Sequence, residues 1–330
     1  MQGSDLVASP RTCGLVFSRC PVAVRPPRWS NSAGGGTEHD PIEWHVVAGE
    51  AADAALLLTA AGAPRAGANP PEDASYHDHA VDSLICGFPL QSDLVADSFM
   101  RSVPGRGAQS ELLFPATVVI DLRNLLTGAS ARLRDAEPAT YELDDGTFTF
   151  SGNVLVTKGA FPFARFRGSA TVDLDSFVIT QFRGTREVVD VCSLVDPNAA
   201  HSDPRDTPAP WDAGDNPLAA MKRAGLVPGV FALAEHIHAH LDVFVNGEAV
   251  AVPPGIGVVA PVDVGGQNIQ SAWNAMAPVH THGADGILHV HTGIPEIVTL
   301  GQFFDVWRVR FTDRCLGSYC AGPGERYGCT

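Results

Sequence analysis

The chain has 330 residues, 45% of them hydrophobic, so it is long enough to bury the core of one or two domains. Its 33 glycines and 25 prolines disfavour long helices and favour short strands joined by turns. With 22 basic against 37 acidic residues the formal charge is −15, which argues against a nucleic-acid partner because an acidic surface repels phosphate.

Residues 1–75 show no sustained hydrophobic period, and we predict that they are disordered or form a processed leader. The apolar run at residues 54–68 is typical of a secretory signal, although Glu50 and Asp53 stand where basic residues belong. Two interpretations stay open: a signal sequence behind a mis-assigned start, or an ordinary alanine-rich helix. The chain has no run of 18 or more apolar residues, so no membrane-spanning helix is expected.

Residues 76–196 are predicted to form a β-rich domain of the sandwich or barrel type. Turn residues, and no helical patterns, separate its predicted strands. Those strands are Ala116–Leu122, Thr147–Val156, Gly168–Leu174 and Ser176–Phe182.

The seven cysteines are widely spaced and include no CxxC pair, so neither a cysteine-based zinc site nor a thioredoxin-type motif is indicated. Cys86 precedes the first predicted strand and Cys192 follows the last, so a bridge between them would tie the ends of this domain together; two buried free thiols are the alternative. Cys315 and Cys320 are further disulfide candidates. Scattered disulfides fit an oxidising compartment, so we expect a secreted or cell-envelope protein.

Residues 197–216 are rich in proline and aspartate and are predicted to be a linker. Residues 217–330 then form a second β-rich domain with a few short helices. Its predicted elements are a helix capped by Asn216 with Pro217 at its first position, a strand over 236–245, an Asn246-Gly247 hairpin turn, a strand over 248–252, a strand over Gly286–His291 and an amphipathic helix over Leu300–Val309.

Seven of the twelve histidines lie between residues 236 and 291, in three groups with a period of two: His236, His238 and His240; His280 and His282; His289 and His291. Side chains two apart on a strand share a face, so each group presents its imidazoles in one direction. Neutral imidazole is a good ligand for transition metals. We therefore predict a metal site, with Glu235, Asp242 and Asp285 close enough in sequence to orient the rings.

Several functions remain compatible with this pattern. No nucleophile elbow, phosphate-binding loop or HExxH motif is present, and a thiol hydrolase would have to use Cys315 or Cys320. The favoured interpretation is a non-catalytic protein that binds copper or zinc. The alternatives are a metal-dependent enzyme with an open coordination position, an interaction module without metal, and a histidine pH sensor.

The histidine groups also carry a family resemblance. The blocks HIHAHLDVFVNGEAVAVPPGIGV, PVHTHGADGILHVH, VTLGQFFDVW and CLGSYC resemble a family of largely uncharacterised bacterial and archaeal proteins over residues 217–322. That family usually has an acidic residue at the position of His291 and glycine at that of Arg308. The resemblance implies a metal-binding domain with His291 as a possible additional ligand and a main ligand set of His236, His238, His240, His280, His282 and His289.

A second resemblance covers residues 80–196. The segment from Cys86-Gly87-Phe88-Pro89 to the Val-Val-Asp-Val-Cys sequence ending at Cys192 is similar to secreted actinobacterial proteins of unknown function. It implies export and the Cys86–Cys192 bridge, but no activity.

Overall fold

The protein is described by a computed structural model for residues 71–104, 109–136, 138–142, 146–173, 179–200, 203–228, 235–266, 268–272, 275–294 and 296–322. The fold is mainly β, with several antiparallel sheets and few short helices, which confirms the predicted fold class. Most of the predicted leader, residues 1–70, lies outside the described residues.

The largest element is an antiparallel sheet of nine strands. Its hydrogen-bonded order is β1-β3-β4-β6-β7-β8-β9, with β2 also paired to β3 and β5 to β4. The strands are β1 (Glu72–Asp73), β2 (Tyr76–Asp82), β3 (Leu90–Pro104), β4 (Gln109–Asn124), β5 (Ser130–Asp135), β6 (Ala139–Glu142), β7 (Thr147–Lys158), β8 (Phe161–Asp173) and β9 (Ile179–Val188).

Alternation along the strands separates a core face from a solvent face. Leu94, Ile120 and Leu122 are buried, and the rings of Phe150 and Phe166 pack edge to face at 5.9 Å. The predicted strands within residues 116–182 fall inside β4, β7, β8 and β9, apart from the part at residues 174–178, which lies outside the described residues.

A line of glycines crosses three strands of this sheet. Gly152, Gly168 and Gly184 lie opposite one another on β7, β8 and β9, with φ of +93°, +131° and +144°. A Cβ atom on Gly168 would overlap the carbonyl oxygen of Arg183, and one on Gly184 would overlap that of Arg167. Gly168 and Gly184 therefore approach each other's strands where glycine alone fits, and glycine kinks of this kind allow a sheet to bend.

The sheet is followed by a short helix, α1 (Val191–Val195), capped by the side chain of Asp190. A disulfide joins Cys192 in α1 to Cys86 in the β2–β3 connection, 106 residues earlier in the chain. A 3-10 turn, Pro197–Ala200, comes next.

The described residues after this turn form two helices and several short antiparallel pairings. Helix α2 (Pro217–Ala224) begins at the predicted cap, since Asn216 accepts a hydrogen bond from the Ala219 N–H at 3.1 Å. The strands are β10 (Glu235–His240), β11 (Val243–Val245), β12 (Glu248–Val250), β13 (Pro261–Val264), β14 (Asn268–Ser271), β15 (Val279–His280), β16 (Ile287–Thr292), β17 (Cys315–Leu316) and β18 (Tyr319–Cys320).

Helix α3 (Leu300–Trp307) ends two residues before the predicted boundary. It starts in a capping box in which Gln302 N–H donates to Thr299 Oγ1 at 3.2 Å. Arg308 closes it in the left-handed conformation, with φ +60°, and its guanidinium contacts Asp215. Arginine here adopts the helix-ending conformation that glycine takes most readily.

The single strand predicted over residues 236–245 is divided in the structure. β10 stops at His240 and pairs with β16, while β11 pairs with β12 across the two-residue turn at Asn246 and Gly247. The Leu241 N–H donates instead to the Gly286 carbonyl oxygen at 2.8 Å. The histidines of β10 and the Asn-Gly hairpin therefore belong to two different sheets.

The segment predicted as a linker, residues 197–216, packs against α3. Trp211 is buried and meets Trp307 edge to face at 5.8 Å, and Arg205 donates to the Trp307 carbonyl oxygen at 2.8 Å. The buried hydrophobic residues before and after this segment form one contiguous cluster. The division into domains at residues 76–196 and 217–330 stays a prediction.

Within the described ranges, no helix combines the length and apolar character needed to cross a bilayer.

Candidate metal centre

The histidines lie on a three-stranded antiparallel sheet with the order β10-β16-β15. Its register places His236 opposite His291 and His238 opposite His289. On the other side of the central strand, His280 of β15 lies opposite His289. The pairing thus brings three segments that are distant in sequence to one place.

The two faces of this sheet have different chemistry. On β16, Leu288 and Val290 are buried in the core, whereas His289 and His291 alternate with them and point to the opposite face. On β10, Ile237 packs against the core between two exposed histidines. The alternation of β-branched and leucine side chains with histidine therefore fixes which face carries the imidazoles.

Four of these histidines form a group that can hold a metal ion. Each of His236, His238, His289 and His291 offers one ring nitrogen, and these nitrogens all lie within 4.8 Å of one another. His236 Nε2 and His238 Nε2 are 2.8 Å apart. The group is open to solvent on the β10 side, where both side chains are exposed, and half-buried on the β16 side.

His280 and His282 extend the cluster on the β15 side. The ring centroids of His280 and His291 are 4.7 Å apart, and those of His282 and His289 are 4.5 Å apart. His280 Nε2 lies 3.1 Å from His282 Nε2. Six imidazoles therefore form one continuous network of ring contacts.

Backbone carbonyl groups fix the orientation of His280 and His282. His280 Nδ1 lies 2.8 Å from the Ala277 carbonyl oxygen, and His282 Nδ1 lies 2.7 Å from that of Ile269. A carbonyl oxygen only accepts a hydrogen bond, so Nδ1 is the protonated nitrogen in both rings. This tautomer leaves Nε2 with a free lone pair, and it is the arrangement found around metal-bound histidines.

The loop between β12 and β13 is held against β15 by a buried hydroxyl and a close backbone approach. Thr281 Oγ1 donates to the Pro253 carbonyl oxygen at 2.8 Å and accepts from the Ile256 N–H at 3.1 Å. A Cβ atom on Gly257, which has φ +74°, would lie 2.8 Å from the Ala277 Cβ. Glycine at this position lets the loop approach β15 closely enough to support His280.

Burial favours the neutral form of four of these rings. Burial is the main cause that lowers the pKa of His289 to about 4 and that of His291 to about 3, and the neighbouring imidazoles lower both further. Burial also places the pKa of His280 well below its usual value and lowers that of His236. Neutral imidazole is the form that binds metal, so these rings are available as ligands at mildly acidic pH.

Two of the predicted ligands are placed differently by the structure. His240 lies opposite Ile287, beyond the histidines of β16. Two residues along a strand cover about 6.6 Å, so His240 is displaced by that distance from His238. Its Nε2 lies 3.1 Å from the Asp285 carbonyl oxygen and its Nδ1 3.5 Å from Asp242 Oδ2. His291, expected only as a possible additional ligand, lies within the four-histidine group. The other predicted ligands, His236, His238, His280, His282 and His289, all lie within the cluster.

The sequence did not reveal the groups that orient the rings. Asp242 and Asp285, expected to orient metal ligands, lie beside His240, and the side chain of Glu235 lies outside what the structure describes. Backbone carbonyl groups orient His280 and His282 instead. Every residue has a carbonyl group, so no residue type marks those positions in the sequence.

Unpartnered nitrogen atoms indicate that the cluster suits a metal ion. His289 Nδ1 and His291 Nε2 are buried without a hydrogen-bond partner. A buried polar atom of this kind is costly unless something else binds it. Nitrogen ligands on a rigid antiparallel sheet suit zinc, copper, nickel or iron. The residues therefore fit a transition-metal ion.

The disulfides bear on the remaining alternatives. Cys315 is bonded to Cys320, so in this state neither sulfur is a free thiol for a hydrolase. Together with the Cys86–Cys192 bridge, it points to an oxidising environment.

Comparison of the chain with protein-family models, curated proteins and solved structures finds no match.

Proposed function

We propose that this protein binds a transition-metal ion through His236, His238, His289 and His291. One observation carries the proposal: four ring nitrogens from two hydrogen-bonded strands lie within 4.8 Å of one another. Because the strand register holds the rings together before any ion arrives, binding does not have to collect its ligands from a flexible chain.

Copper or zinc is the metal we propose, since borderline metal ions favour imidazole nitrogen over the oxygen ligands that magnesium and calcium take. The two disulfides support a secreted or cell-envelope location. Binding without catalysis is the favoured role, because four protein ligands fill a tetrahedral site. The sequence resemblance over residues 217–322 implies a metal-binding domain, so it supports metal binding and does not bear on catalysis.

A metal-dependent enzyme is the second candidate, and the exposure of His236 and His238 favours it. An ion held on that side can be reached by solvent, so a coordination position could take up water or a substrate. A copper-loaded sample titrated with azide separates the two roles. A new charge-transfer band indicates an open position, and an unchanged spectrum indicates a closed one.

The experiment that tests metal binding uses full-length protein stripped with a chelator. It is dialysed against Cu²⁺, Zn²⁺ or Ni²⁺, and the bound metal is measured by mass spectrometry. Wild-type protein is expected to retain stoichiometric metal after buffer exchange. The His238→Ala/His289→Ala variant is expected to lose at least one equivalent, with affinity reduced by 10-fold or more.

The matched control is His240→Ala, which removes an exposed histidine from the same face of β10 outside the cluster. It is expected to bind metal like the wild type. If wild-type protein with intact circular dichroism takes up none of the three metals, the proposal is lost, and an interaction module without metal becomes the better interpretation.

A further inference from the structure

The six clustered histidines include two close pairs, one on each side of the central strand. His236 Nε2 and His238 Nε2 are 2.8 Å apart, and His280 Nε2 and His282 Nε2 are 3.1 Å apart. Two nitrogens bound to one tetrahedral ion at about 2.0–2.1 Å lie about 3.3 Å from each other. Both pairs are therefore close to the spacing at which two rings chelate a single ion.

Each imidazole of the central strand lies close to one ring of both pairs. The His291 ring centroid is 4.3 Å from that of His236 and 4.7 Å from that of His280. The His289 centroid is 4.4 Å from that of His238 and 4.5 Å from that of His282. Six imidazoles exceed the four that one tetrahedral ion accepts, so a single ion would leave two of them unused.

The pair on the β15 side needs a cation more than the exposed pair does. Both of its Nδ1 atoms donate to carbonyl groups, so both Nε2 atoms present lone pairs to each other at 3.1 Å. Two acceptors cannot satisfy one another, and His280 is 0% exposed, so solvent does not reach its ring. A metal ion between the two nitrogens would satisfy both.

We propose that the cluster is a two-ion centre, with an outer ion held by His236 and His238 and an inner ion held by His280 and His282. His289 and His291 would complete both sites as imidazolates: each ring would release its N–H proton to solvent on metal binding and bridge the two ions through its two nitrogens. This inference rests on the proposed function and adds a second site to it. The inner ion is enclosed by ligands anchored to the backbone, whereas the outer ion lies on a strand whose two histidines are exposed. The inner ion is therefore expected to exchange slowly and the outer ion rapidly.

The test measures zinc stoichiometry and release kinetics for the full chain. Wild-type protein is expected to bind two equivalents and, when mixed with excess chelator, to release one at least 10-fold faster than the other. His236→Ala/His238→Ala is expected to keep one slow equivalent. His282→Ala is expected to lose the slow equivalent and keep the fast one.

His282→Ala is preferred to a substitution of the buried His280, because the partly exposed His282 is less critical for folding. His280→Gln is the second variant, and it should show the same loss. His240→Ala is the control and should keep both equivalents. Circular dichroism of each variant establishes that its fold is retained.

Copper titration followed by electron paramagnetic resonance reports on the distance between the ions. The first equivalent of Cu²⁺ is expected to give an isolated signal, and the second is expected to leave the integrated signal well below two spins through coupling of neighbouring ions. One equivalent per chain overturns the two-ion centre and leaves the proposed function standing. Two uncoupled ions overturn the shared centre, and no bound metal overturns both proposals.

Discussion

The polar faces of the nine-stranded and three-stranded sheets carry different kinds of side chain. On the nine-stranded sheet, opposite charges lie side by side, such as Arg132 with Asp121 at 2.7 Å and Arg165 with Asp135 at 2.9 Å. On the three-stranded sheet, the polar face of the described residues carries six imidazoles that contact each other, and two of them have buried nitrogens without a partner. A face of paired charges is complete by itself, whereas a face of identical ligands is completed by what it binds.

One disulfide closes the long segment that contains the large sheet and the other closes a short turn near residue 317, and the largest expected effect tests that difference. Removing Cys86–Cys192 by a double alanine substitution frees a loop of 106 residues and is expected to cost about 5 kcal/mol of unfolding free energy. Removing Cys315–Cys320, whose partners are 5 apart in sequence, is expected to cost about 2 kcal/mol. Urea unfolding under non-reducing conditions measures both. Equal losses would contradict the chain-entropy account.

The glycine line tests whether the large sheet depends on its backbone geometry. Gly168→Ala places a methyl group on the Arg183 carbonyl oxygen at a φ of +131°, so we expect a loss of about 3 kcal/mol or failure to fold. Gly146→Ala, at φ +57° with nothing within 4 Å, is the matched control and should cost about 1 kcal/mol. Thermal or urea unfolding compares the two. A Gly168→Ala variant as stable as the control would show that the strands can separate there without cost.

Acid should weaken the metal-free protein through the histidine sheet. The folded-state pKa values of His289 and His291, about 4 and about 3, lie below the ordinary value near 6.5, so the unfolded chain binds protons first as pH falls. Between pH 7 and pH 5 the metal-free protein is expected to lose on the order of 2 kcal/mol, since partial solvent access moderates the effect.

Urea midpoints measured across this pH range, with chelator present, test the expectation. The His289→Gln/His291→Gln variant, which keeps polar side chains that do not titrate, should show a much flatter profile. Bound metal should also flatten the profile near neutral pH, because it excludes the protons. A wild-type midpoint that does not change between pH 7 and pH 5 would contradict the assigned burial.

The comparison also explains how much of the site the sequence could predict. Period-two spacing placed His236 with His238, and His289 with His291, on common faces because alternation is a local property of a strand. The spacing could not show that His240 is left out, since that depends on the register between β10 and β16, which ends the histidine ladder at His289. Register is set by contacts between distant segments, and no short stretch of sequence records it.

The features of the fold that depend on a few neighbouring residues could be predicted from the sequence, and those that depend on distant contacts could not. The Asn246-Gly247 turn and the capped start of α2 were predicted correctly, because turn and cap residues act over a few positions. The break after His240 was missed, because the run from 236 to 245 has uniform strand character. That break comes from the Leu241 N–H bonding to the Gly286 carbonyl oxygen, 45 residues later.

The smallest expected effect concerns the buried hydroxyl that holds the loop next to His280. Thr281→Val keeps the shape of the side chain but leaves the Pro253 carbonyl oxygen and the Ile256 N–H without their partner, so we expect a loss of about 1–2 kcal/mol. Thr180→Val is the control on the large sheet, where an exposed hydroxyl donates to the Thr171 carbonyl oxygen at 3.2 Å and its loss should cost below about 0.5 kcal/mol. Urea unfolding of both metal-free variants measures the difference. Equal costs would mean that water replaces the lost partner at Thr281 as easily as at the surface. The loop would then not be the rigid support for His280 that its hydrogen bonds indicate.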